Sequence, residues 1–126
     1  MPFAPVTVKE YAYQCYTSLN GAENTAKFMT ITSDCTDEMR EHCPAVVHIN
    51  GTARPQLIER ENNPSYYEIV DEYRKMTGLP CVVNTSFNMH EEPIACTPND
   101  ALRAFRDGSL DYLAIGKFLV KGQGAS

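Results

Sequence analysis

No apolar run in these 126 residues approaches the roughly 20 needed to cross a bilayer. The N-terminus lacks the basic, apolar, small-residue progression of a secretory signal. Positive charge is in deficit: 11 Lys and Arg against 16 Asp and Glu leave a net charge of −5, which argues against a general nucleic-acid or membrane-surface binder. The five cysteines (Cys15, Cys35, Cys43, Cys81 and Cys96) are odd in number, and no pair has C-x-x-C spacing. Free thiols in a reducing cytoplasm fit that pattern better than a disulfide scaffold. No Cys/His set has zinc-site spacing, so the chain has no candidate metal centre of its own. Internal repeats and low-complexity linkers are also missing. What remains is ordinary for a globular chain, with 43% hydrophobic and 21% charged residues. At this length a single domain, spanning 1–126, buries about two thirds of its unfolded surface.

Two prolines in Met1-Pro-Phe-Ala-Pro5 predict an extended start. Thr7 and Glu10 fit a capping box for a helix over Val8–Leu19, with Tyr11, Cys15 and Tyr16 on its apolar stripe and Asn20-Gly21 at its end. Phe28–Ile31 reads as a strand. Thr36 caps a short helix to His42, with acids in its first turn. Ala45–Ile49 reads as a strand entering a hairpin at Asn50-Gly51, with Gln56–Ile58 returning and Pro55 limiting the pairing. Asn63 and Pro64 open a helix through Thr77, with Tyr66, Ile69, Val70, Tyr73 and Met76 at helical spacing and Gly78 and Pro80 stopping it. A central strand begins at Cys81. Thr97-Pro-Asn-Asp100 starts another helix, with Leu102 and Phe105 inward and Gly108 at its end. Leu110–Ile115 and Phe118–Val120 close the chain as strands, and 122–126 forms a loose tail. The intermixing predicts an α/β (α+β mixed) fold, a mixed sheet flanked by helices.

The chemistry concentrates in Leu79-Pro-Cys-Val-Val-Asn-Thr-Ser-Phe-Asn88 and its continuation to Thr97. Cys81-Val82-Val83 reads as a buried strand. Asn84, Thr85, Ser86 and Asn88 then follow with only Phe87 between them. If the chain stays extended, Ser86 and Asn88 share one face and Phe87 points to the core. A hydroxyl beside an amide at a strand end suits phosphate or a small polar group. The same residue types also satisfy loop backbone groups. His48 and His90 read as packed or solvated histidines, Cys81 as core, and Glu59-Arg-Glu61 as a solvated edge. Tyr66, Tyr67 and Tyr73 read as core and interface rather than base-stacking residues.

A linked set of motifs goes further: Pro44-Ala-Val-Val-His-Ile-Asn-Gly-Thr-Ala-Arg-Pro-Gln56, Asn63-Pro-x-Tyr-Tyr67, Asn84-Thr-Ser-Phe-Asn88, Glu92-Pro-Ile and Thr97-Pro-x-Asp-Ala-Leu102. In this order they resemble the C-terminal domain of the O-carbamoyltransferases that decorate antibiotics and nodulation factors. Pro2-Phe-Ala-Pro5 and Gly116-x-Phe-Leu-Val120 extend the resemblance over nearly the whole chain. It implies a YrdC-like twisted sheet that forms carbamoyl-adenylate from carbamoyl phosphate and ATP, with magnesium on the nucleotide. It also implies a partner, an N-terminal metal-containing domain of the actin-like ATPase superfamily that passes the carbamoyl group to an acceptor hydroxyl. Ser86 and Asn88 match a Ser-x-Asn element at the nucleotide phosphates. Arg54 matches an arginine on the polyphosphate, and Met29 lies in the segment whose backbone follows the carbamoyl-adenylate. In the family a basic element usually precedes the Pro-Phe-Ala-Pro run. This chain begins at Met1, so the expectation is a domain truncated at its N-terminal edge. Met89-His-Glu-Glu92 departs from the family's usual glycine before Glu-Pro.

Acyl-adenylate formation needs no protein nucleophile; it needs in-line positioning and cations for developing charge. Arg54 suits that work, and against it stands the plain reading of a surface arginine after a turn. Lys27, Arg60 and Lys117 are other cations, though nothing in their spacing brings them to the site. Asn84 and Thr85 read as structural. Two readings compete with the enzyme: a non-catalytic nucleotide-binding or domain-docking module, and a thiol enzyme using Cys96 with His90.

Overall fold

The computed structural model describes residues 3–122. Two compact units divide it, Met1–Thr85 and Ser86–Ser126. Helices and strands, parallel and antiparallel, intermix along the chain, so the expected mixed α/β class holds.

The first unit is organised on β1 (Ala4–Val8), whose five residues are all buried. It lies at the centre of a three-stranded sheet, parallel to β4 (Gln56–Ile58) and antiparallel to β5 (Cys81–Asn84). The helix expected over Val8–Leu19 is therefore not there. Val6-Thr7-Val8 is β-branched and fits a pleated sheet buried on both faces, and it takes the supposed cap residue into the strand. Only a 3₁₀ turn (Lys9–Tyr11) and one helical turn, α1 (Ala12–Cys15), follow. β5 is likewise an edge strand rather than the central one: Cys81 is buried, but Val83 is 50% exposed.

Strand alternation builds two cores on opposite faces of the sheet. Val6, Val8 and Ile58, with Val82, pack against Tyr67 and Val70 of α3 (Pro64–Thr77). Leu57 and Cys81 face the other way, into a cluster with Cys15, Tyr16, Met39 and Val46. Between strand neighbours of that second face, the buried Thr7 hydroxyl shares a hydrogen bond of 3.2 Å with the Tyr16 hydroxyl.

α3 begins and ends as its sequence predicts. Asn63 Oδ1 accepts from the Tyr66 N–H at 3.3 Å, and Gly78 closes the helix at φ 76°. Its buried face is Tyr67, Val70 and Asp71, with Asp71 paired to Arg74 and Lys75. Of the expected stripe, Val70 is buried and Tyr66 packs against the core, whereas Ile69, Tyr73 and Met76 are exposed, Met76 to 83%. Two apolar stripes offset by one residue compete on this helix. The buried one sets Tyr67 and Val70 in the core and pairs its Asp71 with Arg74 and Lys75.

α2 (Asp37–His42) carries the expected Thr36 cap, which accepts from the Met39 N–H at 3.1 Å. The strand expected at Ala45–Ile49 is replaced by a 3₁₀ turn, Pro44–Val46. The turn at Asn50-Gly51 does form, with Gly51 at φ 80° and its N–H on the His48 carbonyl at 2.8 Å. It is not the hairpin expected. β3 (Thr52–Ala53) pairs with β2 (Ser33–Asp34), and β4 goes to β1. Phe28–Ile31 is no strand either. A 3₁₀ turn over Thr25–Phe28 ends in Met29 at φ 57°, a left-handed conformation that no strand accommodates.

In the second unit, α4 (Pro98–Asp107) starts from a full capping box: Thr97 Oγ1 accepts from the Asp100 N–H at 3.2 Å, and Asp100 Oδ2 accepts from the Thr97 N–H at 2.9 Å. Ala101, Ala104 and Phe105 are buried, whereas Leu102, expected inward, lies on the exposed side. β6 (Tyr112–Ile115) and β7 (Phe118–Lys121) form an antiparallel hairpin turning at Gly116, φ 54°. Of the expected tail, Gly122 is tied by its N–H to the Asp111 carbonyl at 2.7 Å, and 123–126 lie outside the described residues.

Candidate functional site

In the first unit the end of the sheet at Asn84 gathers several polar groups. Asn84 Nδ2 donates to Gln56 Oε1 at 2.6 Å and lies 3.9 Å from Met29 Sδ. Asn84 thus holds the strand end, as its residue type suggested. Met29 reaches this place from a left-handed turn, with its side chain rather than an extended backbone. Arg54 stands two residues before Gln56, between β3 and β4 and ahead of the buried Pro55. It is half-buried, and among the described residues it has neither an ion pair nor a side-chain hydrogen bond. The chain's other half-buried arginine, Arg74, is held by Asp71 at 3.1 Å and lies over the Tyr11 ring.

The second unit opens with the Ser86–Asn88 element. β5 ends at Asn84, and the backbone bends at Phe87 and Asn88, so strand alternation does not set the directions of Ser86 and Asn88. A closed loop sets them instead. The Ala95 N–H returns to the Phe87 carbonyl at 2.8 Å, and the Glu92 N–H reaches the Met89 carbonyl at 3.1 Å. Asn88 staples this loop, with Nδ2 donating to the carbonyls of Met89 (2.9 Å) and Glu92 (3.0 Å). Its Oδ1 is buried and accepts nothing among the described residues. Because an unmet buried acceptor costs on the order of 1–3 kcal/mol, this oxygen is suited to a donor: a hydroxyl, an amide N–H or a metal-bound water. Ser86 is exposed. The fit to a magnesium-bearing nucleotide is therefore divided, with a cation for phosphate in one unit and an acceptor for a donor group in the other.

The other candidates fall away. His48 Nδ1 is 3.2 Å from the Thr52 hydroxyl inside its own turn. His90 is exposed, and no hydrogen bond joins it to the exposed Cys96 among the described residues. All five cysteines are free. Burial pushes the Cys15 thiol up to about 12 and raises those of Cys81 and Cys35 as well, which makes them poor nucleophiles.

One cluster escaped the sequence. Glu59 was expected at a solvated edge, yet it accepts from Lys9 and Lys27, each at 2.5 Å, and from Asn62 at 2.7 Å. Hydrogen bonds from Lys27 and then Lys9 hold its carboxyl down to about 2. The parallel register that sets Val8 beside Ile58 brings Lys9 beside Glu59. No local signal encodes that neighbour, and Lys27 is spent there.

Against this geometry the chain can be compared with known proteins. It is 37% identical over 125 residues to the nodulation protein NolNO of Sinorhizobium fredii, covering 99% of this chain and 18% of that protein. It is 35% identical over 125 residues to the nodulation protein NolO of Bradyrhizobium diazoefficiens, covering 99% of this chain and 23% of that one. An uncharacterized protein of Methanocaldococcus jannaschii is 36% identical over 120 residues, 95% of this chain and 19% of its own length. The chain thus spans about a fifth of the length of these relatives. Its residues 1–122 match the family described as Carbamoyltransferase C-terminus, and the unpaired Arg54 and the stapled Asn88 loop belong to a chain that is a member of that family.

Proposed function

We propose that this chain is the adenylate-forming part of a carbamoyl-transfer enzyme. In this reading it binds ATP with magnesium and carbamoyl phosphate; water cleaves carbamoyl phosphate to carbamate and inorganic phosphate, and a carbamate oxygen displaces pyrophosphate from the α-phosphorus of ATP to give carbamoyl-adenylate. A partner domain, of the actin-like ATPase superfamily, passes the carbamoyl group to an acceptor hydroxyl. The observation that carries the reading is Arg54, half-buried with no carboxylate against it among the described residues, while Arg40, Arg60, Arg74 and Arg103 each face one and Arg106 is exposed. A guanidinium left without an anion keeps its planar set of donors for phosphate oxygens, which it binds in pairs. Such a group offsets charge that builds as pyrophosphate leaves the α-phosphorus. Asn88 Oδ1 supplies the acceptor for a magnesium-bound water or for the carbamoyl amide, Ser86 a hydroxyl for phosphate, and Met29 an apolar wall beside Asn84.

The test is equilibrium binding of ATP with magnesium to the wild-type chain, Arg54→Ala and Arg54→Lys. Loss of one charge-assisted contact, worth about 1.5–3 kcal/mol, weakens binding roughly 10- to 150-fold. Lysine restores part of that, because it keeps the charge and loses the fork. Equal affinity in all three removes Arg54 from the site. Carbamoyl-phosphate-dependent release of pyrophosphate from ATP then separates an adenylate-forming enzyme from a module that only binds nucleotide.

A further inference from the structure

We infer that the outer edge of β5 is a docking site for an extended, apolar segment of polypeptide, supplied by the part of the family's chain that lies beyond the residues matched here. β5 bonds to β1 on one side only, and among the described residues no other backbone reaches Cys81–Asn84. The register says which groups are left over. Pro5 pairs with Val83 and has no N–H, so this is a pair that exchanges no two-bond set. The bonded pairs are Ala4 with Asn84 and Val6 with Val82. The N–H and C=O groups of Cys81 and Val83 therefore point away from β1, along the free edge.

Two further features make that edge a site. A cavity of about 280 Å³ is lined by Pro44, Val46, Tyr73, Leu79, Cys81 and Val83 with their neighbours. Val82, also at its wall, packs on the α3 side of the sheet, and Cys81 packs in the opposite core, so the cavity straddles the sheet edge. The edge, though short, carries no charged protection. Exposed edge strands are commonly blunted by lysine, by an inward charge or by a proline along the strand. No charged residue occurs from Leu79 to Met89, and Val83 is half exposed. An added strand would meet the outward groups of Cys81 and Val83 with its own backbone and place one apolar side chain in the cavity. The relatives argue for the occupant. This chain covers 18–23% of the three compared above, so most of each polypeptide lies outside the matched part and travels with it. The inference is independent of the nucleotide reading.

Amide hydrogen exchange on the ¹⁵N-labelled chain tests it. The probe is the part of the Bradyrhizobium diazoefficiens nodulation protein NolO outside the matched segment, produced as a separate polypeptide. In dilute chain alone the Cys81 and Val83 amides should exchange quickly while Val82 and Asn84 are protected. Saturation with the probe should slow Cys81 and Val83 by about tenfold or more and change Val82 little. Val83→Pro removes an outward N–H without touching the β1 ladder, and Ala45→Trp fills the cavity from an exposed position. Each should weaken probe binding about tenfold or more at an unchanged far-ultraviolet spectrum. Protection of Cys81 and Val83 in the chain alone overturns the proposal. So does protection that rises with this chain's own concentration, which would make a second copy the occupant. Probe binding equally tight to wild type and to whichever variant folds overturns it too. If neither variant folds, the amide pattern decides.

Discussion

Thr7 separates two ways of folding the same N-terminal residues. On the surface, as a helix cap, it would tolerate aspartate, which caps about as well as threonine. In the sheet centre its side chain is fully buried, and its hydroxyl shares a hydrogen bond with Tyr16, itself only 4% exposed. Thr7→Val keeps the shape and strands the Tyr16 hydroxyl, at a cost of roughly 1–3 kcal/mol. For a chain of this size about 4 °C per kcal/mol follows, so the thermal midpoint should fall by roughly 4–12 °C. Tyr16→Phe should cost less, because the Thr7 hydroxyl keeps the Cys15 sulfur as an acceptor at 3.7 Å. The double variant Thr7→Val with Tyr16→Phe removes both polar partners and should lose less than the two single losses added, by roughly 1 kcal/mol or more. Thr7→Asp places an unpaired carboxylate in the core and should cost more than either, on the order of 3 kcal/mol or above. Urea and thermal unfolding followed by circular dichroism report all four. An aspartate variant as stable as wild type, or strictly additive single losses, would refute the placement of β1.

Glu59 gives a pH test. Its carboxyl is depressed in the folded state from an ordinary 4.5 to about 2, so its contribution is complete above the ordinary value and fades as pH falls through that window. Glu59→Gln should flatten stability against pH between those limits, and an unchanged slope would mean that the two lysines do not hold it. Thr97→Ala removes half of the α4 capping box and should cost about 1 kcal/mol in thermal unfolding, with Thr97→Ser recovering it; no loss would make the box incidental. A thiol reagent should label the exposed Cys96 first, the half-buried Cys43 next, and Cys15, Cys35 and Cys81 only on unfolding. Fewer than five thiols in denaturant without reductant would reveal a disulfide.

What could be read from the sequence divides by the range of the interaction that decides it. Helix ends were legible at Asn63, Gly78 and Thr97 because each cap closes within about four residues, whatever the rest of the chain does. Strand partners were not. Thr7 with Glu10 satisfies a capping box as well as Val6-Thr7-Val8 satisfies a strand, and the choice is made by Gln56–Ile58 and Cys81–Asn84 arriving on either side. Ala45–Ile49 shows the converse. Its composition favours a strand, but Thr52–Ala53 pairs with Ser33–Asp34, and the segment before the turn buries Val46 from a 3₁₀ turn instead. The candidate site follows the same division. The resemblance could single out Arg54, but only the fold shows that no carboxylate accompanies it among the described residues, and only the placing of the Thr25–Phe28 turn beside β4 shows that Lys27 is committed to Glu59. Asn88 is the sharpest case. Its residue type was legible and its polarity was not. A side-chain amide can donate or accept, and here the loop from Phe87 to Ala95 has taken the donor for the carbonyls of Met89 and Glu92. What the side chain has left is an acceptor. A bare phosphate oxygen, itself an acceptor, gains nothing from it. The group that Asn88 can recognise in this loop has to bring its own proton.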